Sequence, residues 1–304
     1  MTLRKPIDAK AAALMAVLCA IWGMQQVALK AAAPDMAPVL QVAVRSGAAA
    51  VLIAILILLR GETAQLGGGI WRPGLLVGFL FALEFLFVGE GLRFTTASHM
   101  AIFLYTAPVF AALGLHVRLP EEKLTPLQWL GIGLAFTGVV VSFAGRGGGE
   151  EGGASWIGDL FGIAAGALWA ATTLTIRFTR LSGTPATVTL LYQLVGAFVL
   201  LVPVAMLLGQ MQVTFTPVVA AGLAFQIVLV SFLSFLAWFA LLRTYLASRL
   251  GVLSFMTPMF GITFGVVLLG ESLDTAFVIG ALLVTAGILL VSGRDLFKRK
   301  PIPA

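Results

Sequence analysis

Residues 93–114 read RFTTASHMAIFLYTAPVFAALG, and residues 243–264 read RTYLASRLGVLSFMTPMFGITF. A shift of 150 positions places Arg93 on Arg243, Ala97-Ser98 on Ala247-Ser248, Pro108 on Pro258 and, further along, Glu121 on Glu271. Closer to the start, a shift of 147 places Trp22 on Trp169, Lys30 on Arg177 and Pro38 on Pro185. Residues of uncommon type that recur in a fixed order mark an internal duplication.

The medium around the two copies follows from composition. Of 304 residues, 60% are hydrophobic and 11% charged, and the mean hydropathy is +1.05. A chain this poor in charge cannot cover itself with a polar surface in water, whereas a bilayer makes the composition sensible. Breaks at charged, Gly and Pro clusters predict ten spanning helices near 11–32, 38–59, 74–93, 97–117, 125–145, 156–178, 186–209, 217–241, 249–270 and 273–293. The fold class is therefore all-α and polytopic. The Gly-rich RGGGEEGGAS at 146–155 reads as a linker between units 1–147 and 148–304. The basic residues before the first apolar run resemble the start of a signal peptide, but that run is too long for one and is read as a retained helix.

Charge placement fixes an orientation. Fifteen of the 19 Lys and Arg fall on the side that holds the N-terminus. Lys30, Arg93 and Arg146 fall on the other side, and Arg45 lies inside a span. That bias predicts both termini in the cytoplasm and, for a bacterial-type cell, residence in the inner membrane. Five spans per unit is an odd number, so the second unit enters the membrane opposite to the first. An inverted repeat of this kind builds carriers whose site lies at mid-depth between the halves.

The net charge of +6 comes from short inter-helix segments rather than a basic stripe, so nucleic acid is not an expected partner. One cysteine and two histidines supply no metal-site spacing, and no cofactor is expected. Enzymes need clustered acid, base or nucleophile residues, and the spans show none.

The quoted stretch from Arg93, followed by PEEKLTPLQWLGIGLAFTGVV at 120–140, resembles the EamA repeat of the drug/metabolite transporter superfamily, and its second copy extends from Arg243 to Leu290. The Trp-containing openers LCAIWGMQQVALK and AAGALWAATTLTIR, at 18–30 and 164–177, fit the same pattern. The first copy departs from it at Pro120-Glu121, where the second has Gly270-Glu271. The resemblance implies a ten-helix carrier with a central cavity that exports metabolites, with aromatic and neutral amino-acid exporters as the nearest branch. A broad drug or metabolite permease and a nucleotide-sugar-type exchanger are the alternatives.

Residues for that cavity come from chemistry that does not belong in lipid. Arg45, Glu84 and Glu90 are the expected ionisable residues inside spans, with no acid expected in the spans of the second half. Glu84 or Glu90 at the cavity wall suits a substrate ammonium, while an Arg45–Glu90 pair is the structural alternative. The cavity candidates are Trp22, Gln25, Glu84, Phe87, Tyr105, Trp169, Gln193, Ser234 and Trp238, each of which could instead serve helix packing. Trp22 and Trp169, being repeat-related, are expected to face each other. His99 at a helix mouth is a candidate gate, or a solvated end residue. Pro108 and Pro258 remove backbone hydrogen bonds at matching positions and are candidate hinges, or static kinks. Glu271 is expected to cap the helix that follows it. The expected partners are a small-molecule substrate and the lipid bilayer. Monomer and homodimer stay open, as do proton-driven and downhill transport.

Overall fold

A computed structural model describes residues 8–67, 69–118, 123–144, 155–245, 250 and 253–292. Helices follow one another throughout: α1 (Ala9–Ala31), α2 (Pro38–Arg60), α3 (Trp71–Phe94), α4 (Ala97–Leu104), α5 (Ala107–Arg118), α6 (Pro126–Ala144), α7 (Ser155–Phe178), α8 (Ala186–Leu207), α9 (Pro217–Ala224), α10 (Phe235–Thr244), α11 (Met256–Leu269) and α12 (Thr275–Ser292). A π-helical stretch, Phe225–Ser234, joins α9 to α10, and α4 with α5 forms one broken rod. Seven segments are long and apolar enough to cross a bilayer, and three shorter apolar helices bring the crossings to ten. Among the described residues the sole β pairing is an isolated bridge between Met36 and Val213. The protein is thus an all-α polytopic membrane protein of two inverted five-crossing repeats.

Local chemistry sets the helix ends. The Asp8 carboxylate accepts the Ala11 N–H at 2.8 Å and opens α1. Pro38 occupies the first turn of α2, and Gly61 closes that helix at φ 66°, a left-handed conformation that favours glycine. Pro108 cannot donate to the Leu104 carbonyl, and the rod breaks at Tyr105–Thr106. There the Thr106 hydroxyl donates to the Phe103 carbonyl at 2.6 Å. Pro258 sits in the first turn of α11, just past a turn at Ser254–Phe255, so the repeat-related prolines both mark interruptions.

Packing follows the duplication. α1 lies along α11 as α7 lies along α4 and α5, while α6 pairs with α12 and α2 with α8. Small residues permit the closest crossings. Gly78 of α3 meets the backbone of Gly196 on α8, and Gly23 of α1 meets Gly261 on α11, so a Cβ at either crossing would collide with backbone. The face that holds Ala9 is called the terminal face below, and the opposite one the distal face.

Candidate functional site

Polar chemistry concentrates at two depths. The first lies about seven residues into α2, roughly 10 Å from its distal end at the helical rise. Arg45 is buried there, with its guanidinium 4.4 Å from the centre of the Phe85 ring and Nη1 donating to Gln226 Oε1 at 3.4 Å. Gln226 donates in turn to Gln41 Oε1 at 3.1 Å. Gln41 Nε2 reaches the carbonyls of Leu29 (3.1 Å) and Met36 (2.7 Å). The network therefore ties α1, α2 and the π-helical stretch together, and π turns often mark functional positions. Arg45 Nε, Ser46 Oγ and Gln26 Oε1 are buried without a hydrogen-bond partner. Glu84, near the middle of α3, is buried within electrostatic reach of Arg45, yet no ion pair within 4.0 Å joins them.

The expected Arg45–Glu90 pair is not formed. Glu90 accepts from Arg93 Nη1 (2.7 Å) and Gln210 Nε2 (2.6 Å) at the distal end of α3. Six residues turn a helix through about 240°, so Glu84 and Glu90 cannot both face α2. The deeper acid is the one on the Arg45 side.

Several aromatic candidates do come together, but not as the expected tryptophan couple. Trp22 Nε1 donates to Ser234 Oγ at 2.9 Å, and its ring meets Trp238 edge-on at 5.7 Å. Trp169 instead meets Tyr105 edge-on at 5.3 Å, beside the α4–α5 break. Tyr105 borders Thr257 and Cys19, joining α4, α11 and α1 at mid-depth. Phe87 stacks on Phe161 at 5.3 Å in the α3–α7 seam. Gln25 is buried on α1 and Gln193 half-buried on α8.

The second polar layer lies at the distal face. Asp159 on α7 is completely buried, and it corrects the expectation that the second half holds no intramembrane acid. The Thr95 hydroxyl donates to Asp159 Oδ1 at 2.6 Å, and His99 Nδ1 lies 3.3 Å from Oδ2. The His99 ring stacks on Phe277 of α12 at 3.8 Å, so this helix-mouth histidine is buried rather than solvated. Lys30, ending α1, donates to the carbonyls of Leu92 (2.5 Å) and Thr95 (2.8 Å).

Glu271 completes the layer in an unexpected direction. Its carboxylate accepts from the N–H groups of Ala97 (2.6 Å) and Ser98 (3.0 Å) and from Ser98 Oγ (2.5 Å), so it caps α4 and not the helix that follows it. Asp274 performs that second task, accepting the Phe277 N–H at 2.6 Å. Glu121, the repeat counterpart of Glu271, lies outside the described residues.

The seven-residue stretch 93–99 is thereby held by α1, α7 and the α11–α12 connection at once. Sequence reading overlooked Asp159 because it sits near the start of an apolar run. The signal present was a carboxylate between Gly158 and Gly162, glycines that let α7 close on α3 and α4. Among the described residues no group of three His, Cys, Asp or Glu could hold a metal ion.

The description "EamA-like transporter family" fits the chain twice, at residues 9–144 and 156–293. An uncharacterized transporter of Archaeoglobus fulgidus is 29% identical over 72% of this chain and 73% of its own. The uncharacterized inner membrane transporter YedA of Escherichia coli K12 is 25% identical over 93% and 91%. A probable amino-acid metabolite efflux pump of Salmonella typhimurium is 26% identical over 91% and 93%. One solved crystal structure, 19% identical, covers 96% of this chain and all of its own with a TM-score of 0.64, a likeness of fold alone.

Proposed function

The chain belongs to the EamA-like transporter family, and we propose that it exports small neutral or zwitterionic metabolites by alternating access, foremost amino acids with aromatic or other large side chains. The observation that carries this reading is the mid-depth centre. One buried cation, Arg45, and one buried acid, Glu84, act on each other without pairing directly, and aromatic rings stand on neighbouring helices. An anionic substrate calls for several cations, whereas a zwitterion needs one group of each sign. Glu84 takes the substrate ammonium, Arg45 leads its carboxylate, and Trp22, Trp238, Tyr105 and Trp169 bound the side chain, with Gln25, Gln193 and Ser234 as polar contacts. The similarity to the Salmonella efflux pump supports the same substrate class.

In this reading, units 1–147 and 148–304 rock about the interruptions at Pro108 and Pro258. The positive-inside bias puts both termini in the cytoplasm, making the distal face external, with the inner membrane as its site. The Asp159–His99–Thr95 contacts, with Lys30 and Glu271, then form the external gate, closed in this conformation.

Uptake of radiolabelled Phe, Met or Thr into liposomes holding only the purified protein tests the proposal, with and without a pH gradient. Saturable uptake competed by the unlabelled amino acid, but not by its N-acetyl derivative, is the expected result. Activity toward cationic drugs or sugar conjugates alone would overturn the substrate class while leaving the family intact.

A further inference from the structure

At the terminal face a cleft of about 650 Å³ opens between the first turn of α3 and the end of α7. Arg72 and Leu76 line it from α3, Phe178 and Arg180 from α7 and the turn after it, and Gly69 from the approach to α3. No acid is among the lining residues. Among the described residues neither guanidinium pairs with a carboxylate, and Glu62, an acid from the segment before α3, already accepts from the Thr187 hydroxyl at 2.5 Å.

The cleft is shaped around its cations. Gly69 takes φ +84°, and a Cβ there would lie 2.9 Å from Arg180 Nη1, so glycine leaves the room that the guanidinium occupies. Arg72 lies 5.1 Å from the Trp71 ring, on a tryptophan at the end of a spanning helix where aromatic belts form. Toward mid-membrane the surface turns apolar at once, with Leu75, Leu76, Phe79 and Phe178 exposed. Two cations without a counter-charge among the described residues therefore stand where spanning helices begin and end, directly above an oily slope.

We propose that this cleft binds the phosphate headgroup of an anionic phospholipid in the leaflet of the terminal face. Arg72 and Arg180 contact the phosphate oxygens, and the acyl chains run along Leu76 and Phe178. Guanidinium groups match phosphate oxygens in a bidentate fork and are weakly hydrated, which suits a half-dry interface. Basic pockets between spanning helices recognise anionic headgroups in this way. A free phosphate would satisfy the charge but leave the slope unused, and a choline headgroup would bring its own cation against the two arginines.

Thermal unfolding of the full chain in detergent tests this, with phosphatidylglycerol, phosphatidylcholine or inorganic phosphate titrated in. Phosphatidylglycerol is expected to raise Tm by several degrees and to saturate, as a ligand of the folded state does, while the other two leave it unchanged. Arg72→Gln with Arg180→Gln should abolish the shift, and Lys at both positions should keep part of it. Should the double variant fold poorly, Gly69→Ala displaces Arg180 while keeping both charges and is expected to weaken the apparent affinity several-fold. An equal shift in wild type and in both variants would overturn the site. A shift with inorganic phosphate as large as with the lipid would overturn the choice of ligand.

Discussion

Among the described residues, the two faces of this duplicated molecule are fastened by different means. At the distal face, buried and half-buried charge joins four elements: Lys30, Asp159, His99 and Glu271 converge on residues 92–99. The loops add Thr216 Oγ1 donating to Asp35 at 2.9 Å and the Thr214 N–H donating to the Asp35 carbonyl at 2.8 Å. At the terminal face the described ties include Tyr245 to Asp8 (2.8 Å), Thr187 to Glu62 (2.5 Å), Tyr192 to the Leu66 carbonyl (3.1 Å) and the buried Gln128 amide to the Val291 carbonyl (2.9 Å), none of them built on a fully buried acid. The backbones repeat, and Lys30 recurs as Arg177 and Glu271 as Glu121, but the buried acid Asp159 does not recur. A shift of 147 puts Ala12 at the position corresponding to Asp159. One scaffold used twice can thus carry at one end a fully buried acid that its other copy replaces with alanine.

The largest effect is expected where the lock is deepest. Asp159→Ala removes a fully buried carboxylate and leaves the Thr95 hydroxyl and the His99 ring short of a partner they now share. Breaking such a set costs about 3 kcal/mol. Thermal unfolding in detergent should show a drop of many degrees, and cysteines placed on the distal side of α4 should label faster. Unchanged labelling with an unchanged Tm would mean that the asymmetry between the faces has no energetic content.

A smaller change is expected at the cap. Glu271→Gln keeps the size of the side chain but loses the charge assistance to two N–H groups and one hydroxyl of α4, at a cost of about 1–2 kcal/mol. It should speed distal labelling without altering reactivity at the terminal face. Equal acceleration at both faces would mean a general loosening and would dissolve the distinction.

The two regions also differ in how far sequence could show them. Ten crossings were legible because a bilayer imposes length and apolarity on each, and the Lys and Arg alternation counts them independently. The break before Pro108 was legible because a missing N–H acts locally. The distal lock was not. Glu271 meets Ala97 across 174 positions of sequence, and nothing in its own surroundings marks that partner above the helix beside it. Whether Arg45 meets Glu84 or Glu90 depends on the rotation of α3 about its axis, which a nearly uniform apolar helix leaves unmarked. Trp22 found Trp238 and not Trp169 for the same reason: the repeat fixes depth, while packing fixes direction.

Between the two faces, at mid-depth, Trp22→Phe is expected to act on transport more than on stability. The ring and its edge contact with Trp238 survive, and the hydrogen bond to Ser234 does not, a loss of about 1 kcal/mol. Stability should move little, while transport of amino acids with large side chains should fall several-fold more than that of Thr in the liposome assay. An equal fall for all substrates would put Trp22 in helix packing rather than on the path.

The smallest effect is expected at the terminal face, and its pH dependence is the informative part. The Asp8 carboxyl is held below its ordinary value of 3.8, first by the Ala11 N–H and then by the Tyr245 hydroxyl. A carboxyl whose folded value is depressed contributes stability above its unfolded value and loses it as pH falls through the folded one. The contribution of Asp8 is therefore complete from about pH 5 upward and disappears only in strong acid. Asp8→Ala should leave the pH profile of unfolding between about 5 and 8 parallel to wild type, because this tie does not titrate there. A change in slope within that range would mean that the terminal face carries a titrating fastening after all, and the two faces would then differ in exposure but not in kind.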